Sequence, residues 1–350
     1  MRHDTVHIIG IGAALGDLTA VQELPTHERY RLAGSGYDSI AIANTPDNNT
    51  AIELAAEAGH HALAAYTMTN PGPLLVPGLH LHASLTDPAR DRRAETSAAA
   101  VRAHLGLASG FGDVDLGSTS NTLLAGIDLG TAMLDRTTGD NTIMLTGATC
   151  YTPALVDNQP LEPRAAYGDG ASAILLGNTP GLARIRATHS RSAPELRTRR
   201  SPPPPQSRQN SRSRRERAVH GIRTVLEHVL DDAGITQRDL QWVLTPHYEE
   251  TWMRRNLFTP LGIPPSLATH ACAQRWGHLG PNDPLVVLTH LYARSLVEPG
   301  DLILLLGASI ASTCSAVLLE ITDVPAGMRQ HAPPTTAEQP NTTGKEDTHE

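Results

Sequence analysis

Three polar residues in the last third of the chain have the types and spacing for proton transfer. His247 closes the apolar run Trp242-Val-Leu-Thr-Pro-His247, and Tyr248-Glu249-Glu250 follow it. Open α/β folds place their sites at the carboxyl ends of strands, where an imidazole serves as a general base. Farther on, Gly277-His278-Leu-Gly280-Pro-Asn-Asp283 is a glycine-spaced loop that opens a helix. Such a loop can set His278 or Asp283 opposite His247.

Other candidates carry less. Gly10-x-Gly12-x-x-x-Gly16 resembles a dinucleotide loop, but no clear helix follows it and no acid ends a second strand at the required distance. His80 and His82 alternate on one strand face. With no third ligand close in sequence and 17 histidines in the chain, they read as solvated or core-satisfied side chains, and no metal site is expected. Gly168-Asp169-Gly170-Ala171 reads as a tight turn ahead of a buried strand. Cys150, Cys272 and Cys314 are too few for a disulfide framework and lack metal-type spacing, so a reducing cytoplasm is expected.

The elements that position these groups alternate. Residues 6–13, 78–84, 142–148, 171–177 and 242–247 read as strands, and 301–309 and 314–321 as further apolar runs. Thr50-Ala-Ile-Glu53 matches a capping box ahead of a helix. Residues 94–105 and 122–135 read as helices, the second apolar enough to be buried. Val219, Ile222, Val225, Leu226, Val229 and Leu230 mark an amphipathic helix ending near Gly234. The pattern is α/β. Gly139–Ala148 echoes Gly300–Ala308, each after a helix and before a second strand, which suggests a duplicated fold.

The 350 residues hold 40% hydrophobic and 18% charged side chains, enough for a large core. The formal net charge of −8 argues against nucleic acid as a partner. No window approaches a membrane span, and no signal peptide is expected at Met1–Gly12. Residues 191–217, with nine arginines and the run Pro202–Pro205, read as a disordered insertion, and 324–350 as a disordered tail.

In this order the pieces resemble the beta-ketoacyl-acyl-carrier-protein synthase III family of the thiolase fold. The resemblance rests on Gly168-Asp-Gly-Ala171, Pro246-His247, the strand beginning Gly307-Ala-Ser309, and a buried helix starting at 122. It implies a five-layered αβαβα fold of two duplicated halves, residues 1–180 and 218–322, and a homodimer. The family's nucleophilic cysteine falls at Thr122, next to Asn121, and its asparagine falls at His278, so carbon–carbon condensation is not implied. The His…Gly-His-x-Gly-x-x-Asp pattern resembles instead an acyltransferase subgroup of antibiotic biosynthesis. That implies a triad of Thr122, His247 and Asp283, supported by Asn121, His278, Gly307 and Ser309.

The expected activity is transfer of an acyl group to an oxygen, nitrogen or sulfur acceptor in secondary metabolism. The donor is an acyl-carrier-protein or coenzyme-A thioester, and no cofactor is permanently bound. A small-molecule acceptor is the other partner. A threonine hydroxyl is a far weaker nucleophile than a thiol. An inactive scaffold of the same fold and a priming synthase III therefore stand as alternatives.

Overall fold

The computed structural model describes all residues except 44–49, 73–74, 86–96, 108–111, 118, 137–140, 152–164, 193–207, 310–312, 332 and 334–350. Eleven strands are described: β1 His7–Leu15, β2 Asp17–Ala20, β3 Ser39–Ile42, β4 Leu79–Leu85, β5 Gly112–Asp115, β6 Thr142–Thr149, β7 Gly170–Gly177, β8 Ala183–Ser192, β9 Trp242–Leu244, β10 Leu302–Ser309 and β11 Thr313–Ile321. The helices that matter here are α1 Thr26–Leu32, α2 Thr50–Thr69, α3 Ser97–His104, α4 Thr122–Leu134, α5 Arg208–Ala233, α6 His270–Trp276 and α7 Asp283–Ala293.

The main ladder runs β5-β4-β6-β7-β1-β8-β11-β10-β9. It consists of two equivalent parts. In the first, β4 and β6 are parallel and β6 turns back antiparallel into β7, which pairs with β1. In the second, β9 and β10 are parallel and β10 turns back into β11, which pairs with β8. The parts meet where β1 pairs with β8, at His7↔Arg184 and Ile8↔Ala183, and the bridge Arg2↔Ala187 extends the contact. The repeated Gly-Asp motif falls just ahead of the equivalent strands β6 and β10.

Successive buried residues of these strands face different cores, which assigns the layers. Ile303 and Leu305 of β10, and Ile143 and Leu145 of β6, share one core with α4 and α7. Leu304 and Leu306 pack instead with Ile222, Val225, Leu226, Val229 and Leu230 of α5. Met144 packs on the far side with Ile52, Ala55 and Ala62 of α2. Strands buried on both faces have no polar alternation, which is why they read as unbroken apolar runs. Helices α4 and α7 touch both sheets, α2 and α3 cover one, and α5 covers the other, giving the αβαβα stack. Gly10 and Gly12 serve this packing: a Cβ on either would come within 2.4 Å or 2.2 Å of an α2 carbonyl.

Three stretches near the expected boundaries take regular structure. β8 lies ahead of residue 218 and pairs with β11. Arg184 and Arg186 alternate there with buried Ala183, Ile185 and Ala187, and both arginines pair with Glu320. Of the expected disordered insertion 191–217, Arg191 and Ser192 complete β8, and 208–217 form the first turns of α5; 193–207 lie outside the described residues. Arginine is a good helix former, so the basic run continues the amphipathic helix backward. The expected tail 324–350 begins with a 3₁₀ turn, Ala326–His331, that buries Met328 in the core.

Candidate active site

Asp283 is the first residue of α7 and is fully buried. Its Oδ1 accepts the Leu279 N–H at 2.6 Å, and its Oδ2 accepts the His247 backbone N–H at 2.8 Å. Two imidazoles complete the shell. His278 Nδ1 lies 2.5 Å from Oδ2, and His247 Nδ1 lies 3.2 Å from Oδ1. Burial opposes the charge on this carboxylate, but the two histidines and the N–H bonds hold it below the usual carboxylate range.

The loop that carries His278 is fixed on both sides. Gly277 sits at φ +73°, and a Cβ there would come 2.8 Å from the Ala166 carbonyl, so the position requires glycine. The His278 N–H donates to Ala166 O at 2.7 Å, and Gly168 N–H donates to His278 O at 3.0 Å. The turn at 168–170 is in turn held by Asp169, whose carboxylate accepts the Ala43 and Tyr151 N–H groups at 2.9 and 2.7 Å. Burial pushes the Asp169 carboxyl up to about 6 against those two bonds.

His247 follows β9 and is 2% exposed. Its Nδ1 lies 3.0 Å from the Gly277 carbonyl, and its own carbonyl accepts Tyr37 OH at 3.4 Å. Burial draws its pKa below the usual imidazole value, with Asp283 and Gly277 pulling the other way and His278 adding to the lowering.

The hydroxyls ahead of α4 divide between two jobs. Ser120 Oγ lies 3.3 Å from His278 Nε2. Thr122 Oγ1 accepts the Thr119 N–H at 2.9 Å and lies 3.1 Å from Thr119 Oγ1. It closes the turn into α4 and bonds neither histidine among the described residues. Asn121 Nδ2 donates to Ser315 Oγ at 2.9 Å. Gly307 packs on Asn121 so closely that a Cβ would meet its Oδ1 at 2.3 Å and Leu124 at 2.8 Å. Ser309 ends β10, and its side chain lies outside the described residues.

Asp283 therefore gathers His247 and His278, and His278 reaches Ser120 rather than Thr122. Ser120 was not singled out by the sequence reading; its only signal is its place in the hydroxyl run ahead of a buried helix. An aromatic wall was also missed. Tyr248 lies 4.7 Å and Tyr167 6.1 Å from the His278 ring, Tyr151 lies 4.7 Å from Tyr167, and Trp276 lies 6.2 Å from the His247 ring. His80 and His82 lie apart from this site and share Thr146 Oγ1, at 2.7 and 2.8 Å.

Residues 230–321 match the family model described as 3-Oxoacyl-[acyl-carrier-protein (ACP)] synthase III C terminal. No curated protein sequence matches the chain. Solved structures match over nearly their whole length. ChlB3, described as an acyltransferase, has 22% identity and a TM-score of 0.79, covering 92% of this chain and 99% of that one. Cerulenin-bound OleA of Xanthomonas campestris has 19% identity and a TM-score of 0.74, covering 91% and 98%. FabH, the 3-oxoacyl-(acyl carrier protein) synthase III of Pseudomonas aeruginosa PAO1, has 19% identity and a TM-score of 0.70, covering 92% and 99%. At these identities the likeness establishes the fold.

Proposed function

In this synthase-III-like chain of the thiolase fold, we propose an acyltransferase that forms an acyl ester on Ser120. The observation that carries this reading is the chain of contacts Ser120 Oγ, His278 Nε2, His278 Nδ1, Asp283 Oδ2, at 3.3 and 2.5 Å. A serine hydroxyl needs a base beside it, and a base works best when a buried carboxylate fixes its tautomer. His278 Nδ1–H donates to Asp283, which leaves Nε2 free to take the Ser120 proton. The oxygen then attacks a thioester carbonyl and the C–S bond breaks. Ser120 lies just ahead of α4, whose amino-terminal dipole favours negative charge on the reacting oxygen.

The donor is an acyl-carrier-protein or coenzyme-A thioester, and the acceptor is a small molecule. The reaction is non-decarboxylative and belongs to secondary metabolism in a cytoplasmic setting. His278 supports this, because an imidazole pinned to a carboxylate moves protons rather than stabilising an enolate. No described helix is long and apolar enough to cross a membrane.

Intact mass after incubation with acyl thioesters tests the reading. A mass increase retained by Thr122→Ala and lost in Ser120→Ala is expected. An adduct that survives Ser120→Ala and disappears in Thr122→Ala returns the nucleophile to Thr122. A homodimer is part of the same proposal. Val114 on the edge strand β5, and Leu129 and Met133 on α4, are exposed apolar residues that suit burial against a second copy. Sedimentation of Leu129→Glu/Met133→Glu reads this: a shift to monomer is expected, and an unchanged dimer removes α4 from the interface.

A further inference from the structure

The loop that carries His278 and Asp283 is gripped by the other half of the molecule at one peptide. Three donors converge on the Leu279 carbonyl: the Asn282 backbone N–H at 3.2 Å, Asn282 Nδ2 at 2.9 Å and the Thr149 hydroxyl at 3.0 Å. Thr149 ends β6, and its oxygen in turn accepts from Asn282 Nδ2 at 3.1 Å. Ser172 of β7 donates to Asn282 Oδ1 at 2.9 Å, and the Gly170 carbonyl lies 3.4 Å from Nδ2. Asn282, Thr149 and Ser172 are all fully buried. Their partners leave the amide one orientation, because a flip would set Oδ1 against two carbonyl oxygens. Gly147 of β6 makes the room: a Cβ there would come 2.5 Å from Asn282 Oδ1 and 2.4 Å from Leu123.

The grip reaches the carboxylate through Leu279. With its carbonyl held, its N–H donates to Asp283 Oδ1 at 2.6 Å. Fixing Oδ1 fixes the carboxylate plane, which turns Oδ2 toward His278 Nδ1 at 2.5 Å. We propose that Asn282, with Thr149 as its relay, is a positioning residue. It holds the His278–Asp283 pair of one half in register with the Ser120 approach of the other. Thr149 and Ser172 come from the half that carries Ser120, and Asn282 comes from the half that carries the pair. Asn282 itself has all its polar atoms engaged and acts only through Leu279. Its effect on rate rests on the acyl-Ser120 reading; its effect on the imidazole–carboxylate bond does not.

Two readouts on the full-length protein test this. The first is the proton on His278 Nδ1 in ¹⁵N-histidine-labelled protein, assigned by its loss in His278→Gln. Its chemical shift reports the length of the bond to Asp283. It should move upfield in Asn282→Ala and in Thr149→Val. It should stay in place in Thr289→Val, which removes an equally buried hydroxyl bonded to the Leu285 carbonyl at 2.9 Å within α7. The second is single-turnover thiol release from an acyl-coenzyme A. The maximal rate should fall by about 10–10²-fold in Thr149→Val, the scale of a misplacement on the order of 1 Å, with the half-saturating thioester concentration unchanged. Thr289→Val should keep the wild-type rate. An unmoved His278 proton, or a rate loss matched by Thr289→Val, overturns the positioning role and leaves the acyl-Ser120 reading standing. A wild-type protein that forms no adduct, with a His278 proton that still moves in Thr149→Val, overturns the acyl-Ser120 reading and leaves the positioning role standing. Where Asn282→Ala does not fold, Ser172→Ala replaces it, since that change removes only the donor to Oδ1.

Discussion

His278 and Asp283 meet at 2.5 Å although they are only five positions apart. A short loop that ends at the first residue of a helix makes this possible. Asp283 caps the turn by accepting Leu279 N–H, and the same carboxylate receives the imidazole from one residue earlier in the loop. The carboxylate that holds the Leu279 N–H and the one proposed to orient the base are one group. This ties the geometry of the base to the start of α7.

Asp283→Asn removes the negative charge beside both imidazoles and puts an NH2 donor in place of one of the two acceptor oxygens. Formation of the acyl adduct should fall by roughly 10³–10⁴-fold, as expected when a triad loses its orienting carboxylate. Stopped-flow release of thiol from an acyl thioester measures it. A loss of less than tenfold would mean that the backbone alone orients His278.

Gly277→Ala places a Cβ at φ +73° and 2.8 Å from a carbonyl oxygen. Destabilisation of about 1–3 kcal/mol is expected from the backbone strain. The strain should act on the His278 loop first, so activity at a temperature where the variant stays folded should drop as well. Denaturant melts paired with adduct kinetics separate the two effects. A variant of normal stability and normal rate would contradict the tight seat drawn for this loop.

A catalytic role for His247 predicts a definite pH signature. Burial lowers its pKa from 6.5, so it stays neutral and competent further into acid than an ordinary imidazole. Transfer from preformed acyl-enzyme to a hydroxyl acceptor should therefore lose rate only at pH values under 6.5. A limb centred above 6.5 would assign the proton to another group.

Stability should also follow two histidines far from the chemistry. The Ala98 carbonyl accepts His80 Nδ1–H at 3.1 Å. Thr146 Oγ1–H therefore donates to His80 Nε2, and His82 Nδ1–H donates to Thr146 Oγ1. Burial lowers His80 from 6.5 to about 4 and His82 from 6.5 to about 3. The unfolded chain thus binds more protons at these sites between 6.5 and those values. Their contribution is complete above 6.5 and is lost as pH falls. Asp169, raised from 3.8 to about 6, works in the opposite sense and cancels part of the slope. His82→Gln should flatten unfolding free energy against pH by about 1.4 kcal/mol per unit near pH 5. An unchanged slope would show that His82 is not held neutral.

The fold was largely legible because buried strands and amphipathic helices are written in apolar spacing. β6, β7, β10 and β11, and α4, all follow from that signal. β8 was missed because its outward residues are arginines that pair with Glu320, a residue far away in sequence. The basic start of α5 was misread for a related reason: composition argues against a buried segment, but arginine is a good helix former and can extend a helix. At the site, His247, His278 and Asp283 were visible as types at plausible spacings. Their connectivity was not, because one carboxylate can serve either imidazole and only the fold chooses. Ser120 and Thr122 differ by two positions at a helix start, where one turn decides which hydroxyl faces the site and which closes the backbone.

The repeat described for the sheets has a consequence for how such a site changes over time. α4 and α7 occupy equivalent places in the two halves, each between sheets and each ahead of the equivalent strand β6 or β10. Ser120 belongs to the approach of one, and His278 and Asp283 to the approach of the other. In the proposed reaction the attacking oxygen and the proton machinery therefore reside on separate copies of the repeated unit. Each copy can drift without the other, so the attacking residue can be exchanged while the histidine–carboxylate cluster persists, and neither copy alone holds a complete centre.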